Sequence, residues 1–192
     1  RLFIAIDIEE RIRRQLAEYV DELRRAVPEA RFSRVEGLHI TLKFLGETDK
    51  LDGIGHALAP VRGPAIPIEV IGTGFFPSAR RPRVFWAGVN APAALAQLAS
   101  DIDGACAAVG FAPETRAFTP HLTLAREGTG NPHAQTRAQS SALSRIAEMV
   151  SSRPQPDFGK MIATQFHIYE SKLHPKGAIY TKLASFGLTS QE

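Results

Sequence analysis

Apolar positions in the first part of the chain switch between the period of a strand and the period of a helix. Arg1–Ile8 is a short apolar run, which predicts a buried strand. Glu9–Val27 carries apolar residues at spacings of three and four, which predicts an amphipathic helix. The pattern then predicts a strand at Leu38–Leu45, a weaker helix near Leu51–Val61 and a strand around Ile66–Phe75.

The same order of elements recurs further along the chain. Arg83–Val89 is again a short apolar run, and a second helical pattern opens at Pro92 and is expected to end at Gly110. Three more strands are predicted, at Pro120–Ala125, Gln165–Tyr169 and Ala178–Phe186. The two halves of the chain are therefore predicted to contain strands and helices in the same order.

An internal repeat explains this recurrence. The tetrapeptide HITL at 39–42 returns as HLTL at 121–124, and when residues 1–42 are laid on 83–124 without a gap, 14 of 42 pairs are identical. Unrelated segments would share roughly one residue in fifteen, so a duplication with copies starting near 1 and 83 is the better account.

The duplication predicts a single bilobal α+β domain spanning 1–192. We expect two lobes related by a pseudo-twofold axis, each a mainly antiparallel sheet backed by helices, with a cleft between them. Residues 127–160 interrupt the symmetry with a stretch rich in Gly, Pro and Ser around a helical pattern at 135–150. We predict that this segment is a surface insertion.

Composition narrows the class of protein without deciding it. The formal net charge is +3, and 17 of the 23 basic residues are Arg, which suits phosphate recognition but also fits the codon bias of a GC-rich genome. The one cysteine, Cys106, excludes an intrachain disulfide and a cysteine-based metal cluster, and we expect it to be buried. Since no apolar run approaches a spanning helix and no signal peptide is evident, we expect a cytoplasmic protein without membrane attachment. We also expect a monomer.

The repeated motif carries the candidate chemistry. Alternate residues of a strand share a face, so His39 projects with Thr41, and His121 projects with Thr123. Two imidazoles that titrate near neutral pH can serve as acid and base in one displacement at phosphorus. The two hydroxyls can donate to the phosphate oxygens between them. Neither motif has a carboxylate or second histidine at metal-ligand spacing, so we expect neither metal nor cofactor.

Several longer stretches extend the motif into a family resemblance. They are RLFIAID at 1–7, LHITLKFLGE at 38–47, RVFW at 83–86, FTPHLTLAR at 118–126, and an end segment with Tyr169, Ser171, Leu173, Pro175, Gly177 and Tyr180. The chain resembles the 2H phosphoesterases, and most closely the RNA 2',3'-cyclic phosphodiesterases, also called 2'-5' RNA ligases.

This resemblance implies metal-independent hydrolysis of RNA 2',3'-cyclic phosphate ends to 2'-phosphates, with weak reversible 2'-5' ligation as an added activity. By the family pattern His39 is the proton donor and His121 the proton acceptor, although the local sequence alone permits the opposite order. The alternatives are a phosphodiesterase acting on another cyclic or 2'-5'-linked nucleotide, and a non-catalytic protein that binds RNA ends.

Other residues carry weaker hypotheses. Arg126 and Lys43 are further candidates for binding substrate, against the alternatives of a surface ion pair and a solvated lysine. The aromatic residues Phe75, Phe76, Phe85 and Trp86 fit either base stacking or, in the favoured interpretation, core packing. The remaining histidines have no repeated context and are interpreted as ordinary surface or core residues: His56, His133, His167 and His174.

Overall fold

The computed structural model describes residues 1–127, 141–174 and 178–189. The first half contains β1 (Leu2–Asp7), α1 (Glu10–Ala26), β2 (Arg31–Phe32), a 3-10 turn (Val35–Gly37), β3 (His39–Gly46), α2 (Leu51–Leu58) and β4 (Ile66–Phe76). The second half contains β5 (Val84–Asn90), α3 (Ala93–Ala108), β6 (His121–Arg126), α4 (Ala142–Ser151), β7 (Asp157–Ala163), β8 (Gln165–Lys172) and β9 (Ile179–Gly187). None of the helices in these described parts is long and apolar enough to span a bilayer.

Two antiparallel sheets form the frame of the fold. The first has the strand order β3-β1-β8-β9, and the second has the order β2-β6-β5-β4-β7. The predicted α+β class with two antiparallel sheets is confirmed. The two halves of the chain are interleaved, because β4 lies in the sheet of the second repeat, whereas β8 and β9 complete the sheet of the first.

Helix α1 shows why the apolar spacing predicts structure so closely here. Ile12, Leu16, Val20 and Leu23 are buried on one face, at 1% exposure or less. Burying each such side chain stabilises the fold by about 1.5–3 kcal/mol, which is more than the helix propensity of any surrounding residue contributes. Glu10 lies in the first turn, and two arginines lie in the last, where their charges complement the helix dipole.

One continuous apolar core joins the two sheets and the helices. It includes Phe85 and Phe166 from opposite sheets, both fully buried, together with residues of all four described helices. Cys106 lies within it, and burial raises the pKa of its thiol to about 11, so the thiol stays protonated and unreactive. The prediction of a buried cysteine is confirmed.

The prediction of a surface insertion at 127–160 is wrong for the part of that segment that the structure describes. Helix α4 buries Leu143 and Ile146 in the common core, since its sequence is amphipathic. Residues 157–160 begin β7, which pairs with β4 and completes an edge of the second sheet. The predicted helix at 135–150 is observed at 142–151, and its first positions lie outside the described residues.

Matching irregularities occur in the two strands that carry the repeated motif. Ile4 and Ala5 of β1 pair with Lys43 and Thr41, so Leu42 is an extra residue in β3. Phe85 and Trp86 of β5 pair with Ala125 and Thr123, so Leu124 is an extra residue in β6. A bulge of this kind reverses the face on which the side chains directly after it project. The two bulges lie 82 residues apart, the offset of the repeat.

Candidate active site

The two motif strands, β3 and β6, belong to different sheets and approach each other to within 8 Å between Cα atoms. Beside them lies a cavity of about 760 Å³, and its walls include His39, Thr41, Thr123 and Arg126. The structure therefore brings both threonines and one histidine of the predicted site around one cavity. His121 is not among the described residues that line it, although His121 shares its strand face with Thr123.

The His39 ring is held by a backbone hydrogen bond and by aromatic neighbours. Its Nδ1 lies 2.7 Å from the carbonyl oxygen of Gly37. The ring stacks on Phe3, with centroids 4.5 Å apart, and lies nearly perpendicular to the Tyr180 ring, with centroids 5.2 Å apart. Because a carbonyl oxygen only accepts hydrogen bonds, Nδ1 keeps its proton, and Nε2 is the nitrogen that is left to exchange protons.

Burial lowers the pKa of His39, so the neutral imidazole is favoured in the free protein. The hydrogen bond to Gly37 and the nearby carboxylate of Asp7 act in the opposite direction and favour the imidazolium. The positive charges of Arg126 and Arg13 lower the pKa further. An anion bound in the cavity would offset these two positive charges and make protonated His39 more stable.

His121 is oriented by the same device. Its Nδ1 lies 2.7 Å from the carbonyl oxygen of Thr119, two residues earlier, as Gly37 stands two residues before His39. The Phe76 ring lies nearly perpendicular to the imidazole, with centroids 5.0 Å apart. Both histidines therefore present Nε2 as the free nitrogen, within different aromatic surroundings.

Arg126 reaches the cavity because of the bulge in β6. Without the extra residue Leu124, Arg126 would project away from Thr123; with it, both side chains line the cavity. The Nη2 of Arg126 donates to the Thr123 hydroxyl oxygen at 3.5 Å, a long contact that leaves the hydroxyl proton free to be donated. The structure thus supports the candidate role of Arg126 near a bound phosphate.

The candidate role of Lys43 in substrate binding is contradicted. The bulge at Leu42 turns Lys43 into the protein, where it is 7% exposed and pairs with the carboxylate of Asp103. Its Nζ also donates to the carbonyl oxygen of Ala112 at 3.0 Å. Lys43 therefore links β3 to α3 and the loop after it.

Sequence reasoning missed Phe44, the residue that follows Lys43. Phe44 is 67% exposed and lines the cavity. It stands 82 residues before Arg126, so equivalent positions of the two repeats supply an aromatic ring and a guanidinium. Tyr180 and the basic residues Arg31 and Arg34 also line the cavity and were not predicted.

The other aromatic candidates divide between core and site. Phe85 is fully buried and stacks on Phe75 at 4.9 Å, which confirms core packing for this pair. Phe76 lies between Trp86 and His121, with its ring centroid 5.3 Å from that of Trp86. Phe76 therefore helps to place His121, a role that sequence spacing does not reveal.

Three further histidines that the structure describes, His56, His167 and His174, are not among the residues that line this cavity. His167 is a core residue whose pKa is lowered by burial and by Lys182, with Nδ1 2.9 Å from the Ser185 hydroxyl. His56 bonds to the carbonyl oxygen of Asp52 within α2. His133 lies outside the described residues. Within the described ranges, no group of three or more His, Cys, Asp and Glu side chains is placed to hold a metal ion.

Comparison with known proteins identifies the family of the chain. The model of the 2'-5' RNA ligase superfamily matches residues 12–169. The chain is 32% identical to an RNA 2',3'-cyclic phosphodiesterase of Methanothermobacter thermautotrophicus, over 98% of each chain. It is 34% identical to one of Archaeoglobus fulgidus, over 97% of this chain and 99% of the relative. The crystal structure of E. coli LigT complexed with 3'-AMP matches with a TM-score of 0.74 and 28% identity, covering 99% of this chain and 98% of LigT.

Proposed function

The chain belongs to the 2'-5' RNA ligase superfamily, and we propose that it hydrolyses RNA 2',3'-cyclic phosphate ends to 2'-phosphates. The observation that carries this proposal is the matched pair of imidazoles, each with Nδ1 fixed by a carbonyl oxygen and Nε2 free. Simple retention of phosphate would need only cations, whereas two histidines oriented alike suit proton transfer.

The reaction requires one proton to leave water and another to reach the 3' oxygen. Nε2 of His121 accepts a proton from water as the water oxygen attacks phosphorus. The bond between phosphorus and the 3' oxygen breaks, and Nε2 of His39 donates its proton to that oxygen. The products are a 3' hydroxyl and a 2'-phosphate, and the two imidazoles have exchanged protonation states.

The cavity residues supply the electrostatic part of the mechanism. The hydroxyls of Thr41 and Thr123 donate hydrogen bonds to the non-bridging phosphate oxygens, where negative charge builds up in the transition state. The Arg126 guanidinium supports the Thr123 hydroxyl and adds positive charge beside it. The exposed face of Phe44 offers a surface on which a nucleobase can stack.

Substrate binding prepares His39 for its role as the acid. In the free protein burial lowers the pKa of His39, which disfavours the proton that the acid must carry. The anionic cyclic phosphate favours the imidazolium, so proton uptake by His39 accompanies binding. The action of the protein as a monomer in the cytoplasm stays a prediction from the sequence.

Turnover of 2',3'-cyclic AMP to 2'-AMP tests the proposal. The variants His39→Ala and His121→Ala should each lower kcat by about 10²–10⁴-fold, because each removes one proton-transfer group. His56→Ala, which changes a histidine of α2 away from the cavity, is the matched control and should keep wild-type activity. Full activity in either motif variant would exclude the mechanism. Activity should persist in EDTA; loss that a divalent ion restores would instead indicate a metal enzyme.

A further inference from the structure

Two arginines stand directly opposite each other at the end of the cavity. Arg31 of β2 pairs with Arg126 of β6 in the antiparallel ladder, and both side chains line the cavity. Opposed residues of such a ladder point to one face, with Cβ atoms about 4.5–5.5 Å apart. Like charges in this position destabilise a sheet, so a ligand that neutralises them is the physical reason to keep them together.

Neutralising carboxylates are scarce around this pair. Arg34 follows β2 and lines the same cavity, giving three neighbouring guanidinium groups. Within the described residues, the structure records no ion pair or hydrogen bond for the side chains of Arg31 and Arg34. The one carboxylate among the described lining residues is that of Glu47, and it is paired with Arg1 at 3.2 Å.

The position of these arginines relative to the motif residues indicates what they bind. Along β6, Thr123 lies beside the proposed site of the cyclic phosphate, and Arg126 lies beyond it, next to the outer strand β2. Positively charged side chains therefore extend from the proposed site of the reacting phosphate towards the edge of the sheet. A cavity of about 760 Å³ has room for a nucleotide with a second phosphate group, since ligand pockets of roughly 300–1,000 Å³ hold molecules of that size.

We propose that Arg31 and Arg34 bind a second phosphate of the substrate, the 5' phosphate of the terminal nucleoside. This inference rests on the proposed function and extends it. It makes the preferred substrate an oligonucleotide end, or a 5'-phosphorylated nucleotide, and disfavours a bare 2',3'-cyclic nucleoside phosphate. Arg is suited to this role because its planar fork donates two parallel hydrogen bonds to phosphate.

The kinetic test compares 2',3'-cyclic AMP with the same nucleotide carrying a 5' phosphate, and with a dinucleotide ending in a cyclic phosphate. Wild-type kcat/KM should be about 10–100-fold higher for the two substrates that carry the additional phosphate, as expected for charge-assisted hydrogen bonds. In Arg31→Gln and Arg34→Gln the ratio of kcat/KM values should fall towards one. Arg80→Gln, an exposed arginine outside the lining set, should leave both the ratio and the activity unchanged.

A binding measurement separates failure of this inference from failure of the proposed function. Calorimetry should show that adenosine 2',5'-bisphosphate binds more tightly than 2'-AMP to the wild type, and that Arg31→Gln removes the difference. If no cyclic substrate is hydrolysed but this difference is found, the second phosphate site stands and the proposed function falls. Equal affinity for the two nucleotides, or equal kcat/KM for the three substrates, would overturn the inference.

Discussion

Replacing Lys43 with Ala tests the face that this residue occupies on β3. In the structure Lys43 is 7% exposed, pairs with Asp103 and donates to the carbonyl oxygen of Ala112 at 3.0 Å. Alanine removes the positive charge and leaves the carboxylate without its partner. We therefore expect the variant to lose stability while the catalytic residues remain in place.

The size of the loss follows from the surroundings of Asp103. Removing one member of a buried ion pair costs about 3–5 kcal/mol. Asp103 is 23% exposed in its side chain and also accepts hydrogen bonds from the Glu114 amide at 3.1 and 3.2 Å, which stabilise the remaining carboxylate. We expect the lower end, about 3 kcal/mol. At about 2–4 °C per kcal/mol for a chain of 192 residues, the melting temperature should fall by about 6–12 °C.

The test measures the melting temperature and the turnover of 2',3'-cyclic AMP at 25 °C on the same samples, and so separates a structural role of Lys43 from a role in the cavity. Lys43→Ala should have a lower melting temperature than the wild type and the same kcat/KM. The double variant Lys43→Met/Asp103→Leu should recover much of the lost stability, because apolar residues of similar size can replace a buried ion pair. Phe44→Ala is the neighbouring control and should change stability by about 0.5 kcal/mol or less while raising KM. A Lys43→Ala protein with an unchanged melting temperature and a reduced kcat/KM would place the ammonium group in the cavity and refute the bulge assignment.

Three further predictions concern the surroundings of His39. Because burial lowers the pKa of His39 in the free protein, kcat/KM should fall as pH rises through a value below about 6.5. The fall in kcat should come at a higher pH, since bound phosphate favours the imidazolium. Profiles of kcat and kcat/KM that fall at the same pH would contradict this coupling. Gly37→Ala would place a Cβ 2.7 Å from Cε2 of Tyr180, so the ring must shift and kcat should drop by about tenfold, whereas an unchanged kcat would show that Tyr180 does not orient His39. Burial opposes ionisation of Asp7, but hydrogen bonds, with that of Lys182 the strongest, lower its pKa. Asp7 therefore stabilises the folded protein at pH values above its ordinary pKa of about 3.9, and this stabilisation is lost as pH falls through its lower pKa in the folded state. In urea unfolding between about pH 5 and pH 2, the free energy of unfolding of Asp7→Asn should depend less on pH than that of the wild type.

Periodicity in the sequence was sufficient for the first helix and for the motif residues themselves. The helix predicted at Glu9–Val27 is observed at Glu10–Ala26, because four buried residues at helical spacing leave little freedom in its position. Strand alternation correctly placed Thr41 beside His39 and Thr123 beside His121, since each pair precedes its bulge.

Beyond each bulge, strand alternation no longer predicts the face that a side chain occupies, for one physical reason. A bulge is defined by the pairing of two strands, and the alternation within one strand contains no record of its partner. Alternation alone would place Lys43 on the face of His39 and Arg126 on the face opposite to Thr123, whereas the bulges turn Lys43 into the core and Arg126 into the cavity. The position of β7 was missed on the same grounds, because its place beside β4 depends on contacts distant in sequence.

In the proposed mechanism, the two repeats agree at the residues that exchange protons and differ at the residues that bind the substrate. Nδ1 of each histidine is hydrogen-bonded to the carbonyl oxygen of the residue two positions earlier, and each motif strand has a bulge at the equivalent leucine. Immediately after the bulge the repeats diverge, with Phe44 in one and Arg126 in the other. A cyclic nucleotide is itself unsymmetrical, with a base on one side and further phosphate on the other. An aromatic face and a guanidinium on a symmetrical frame would orient such a substrate in one direction only, which is the condition for two equivalent imidazoles to act as acid and base.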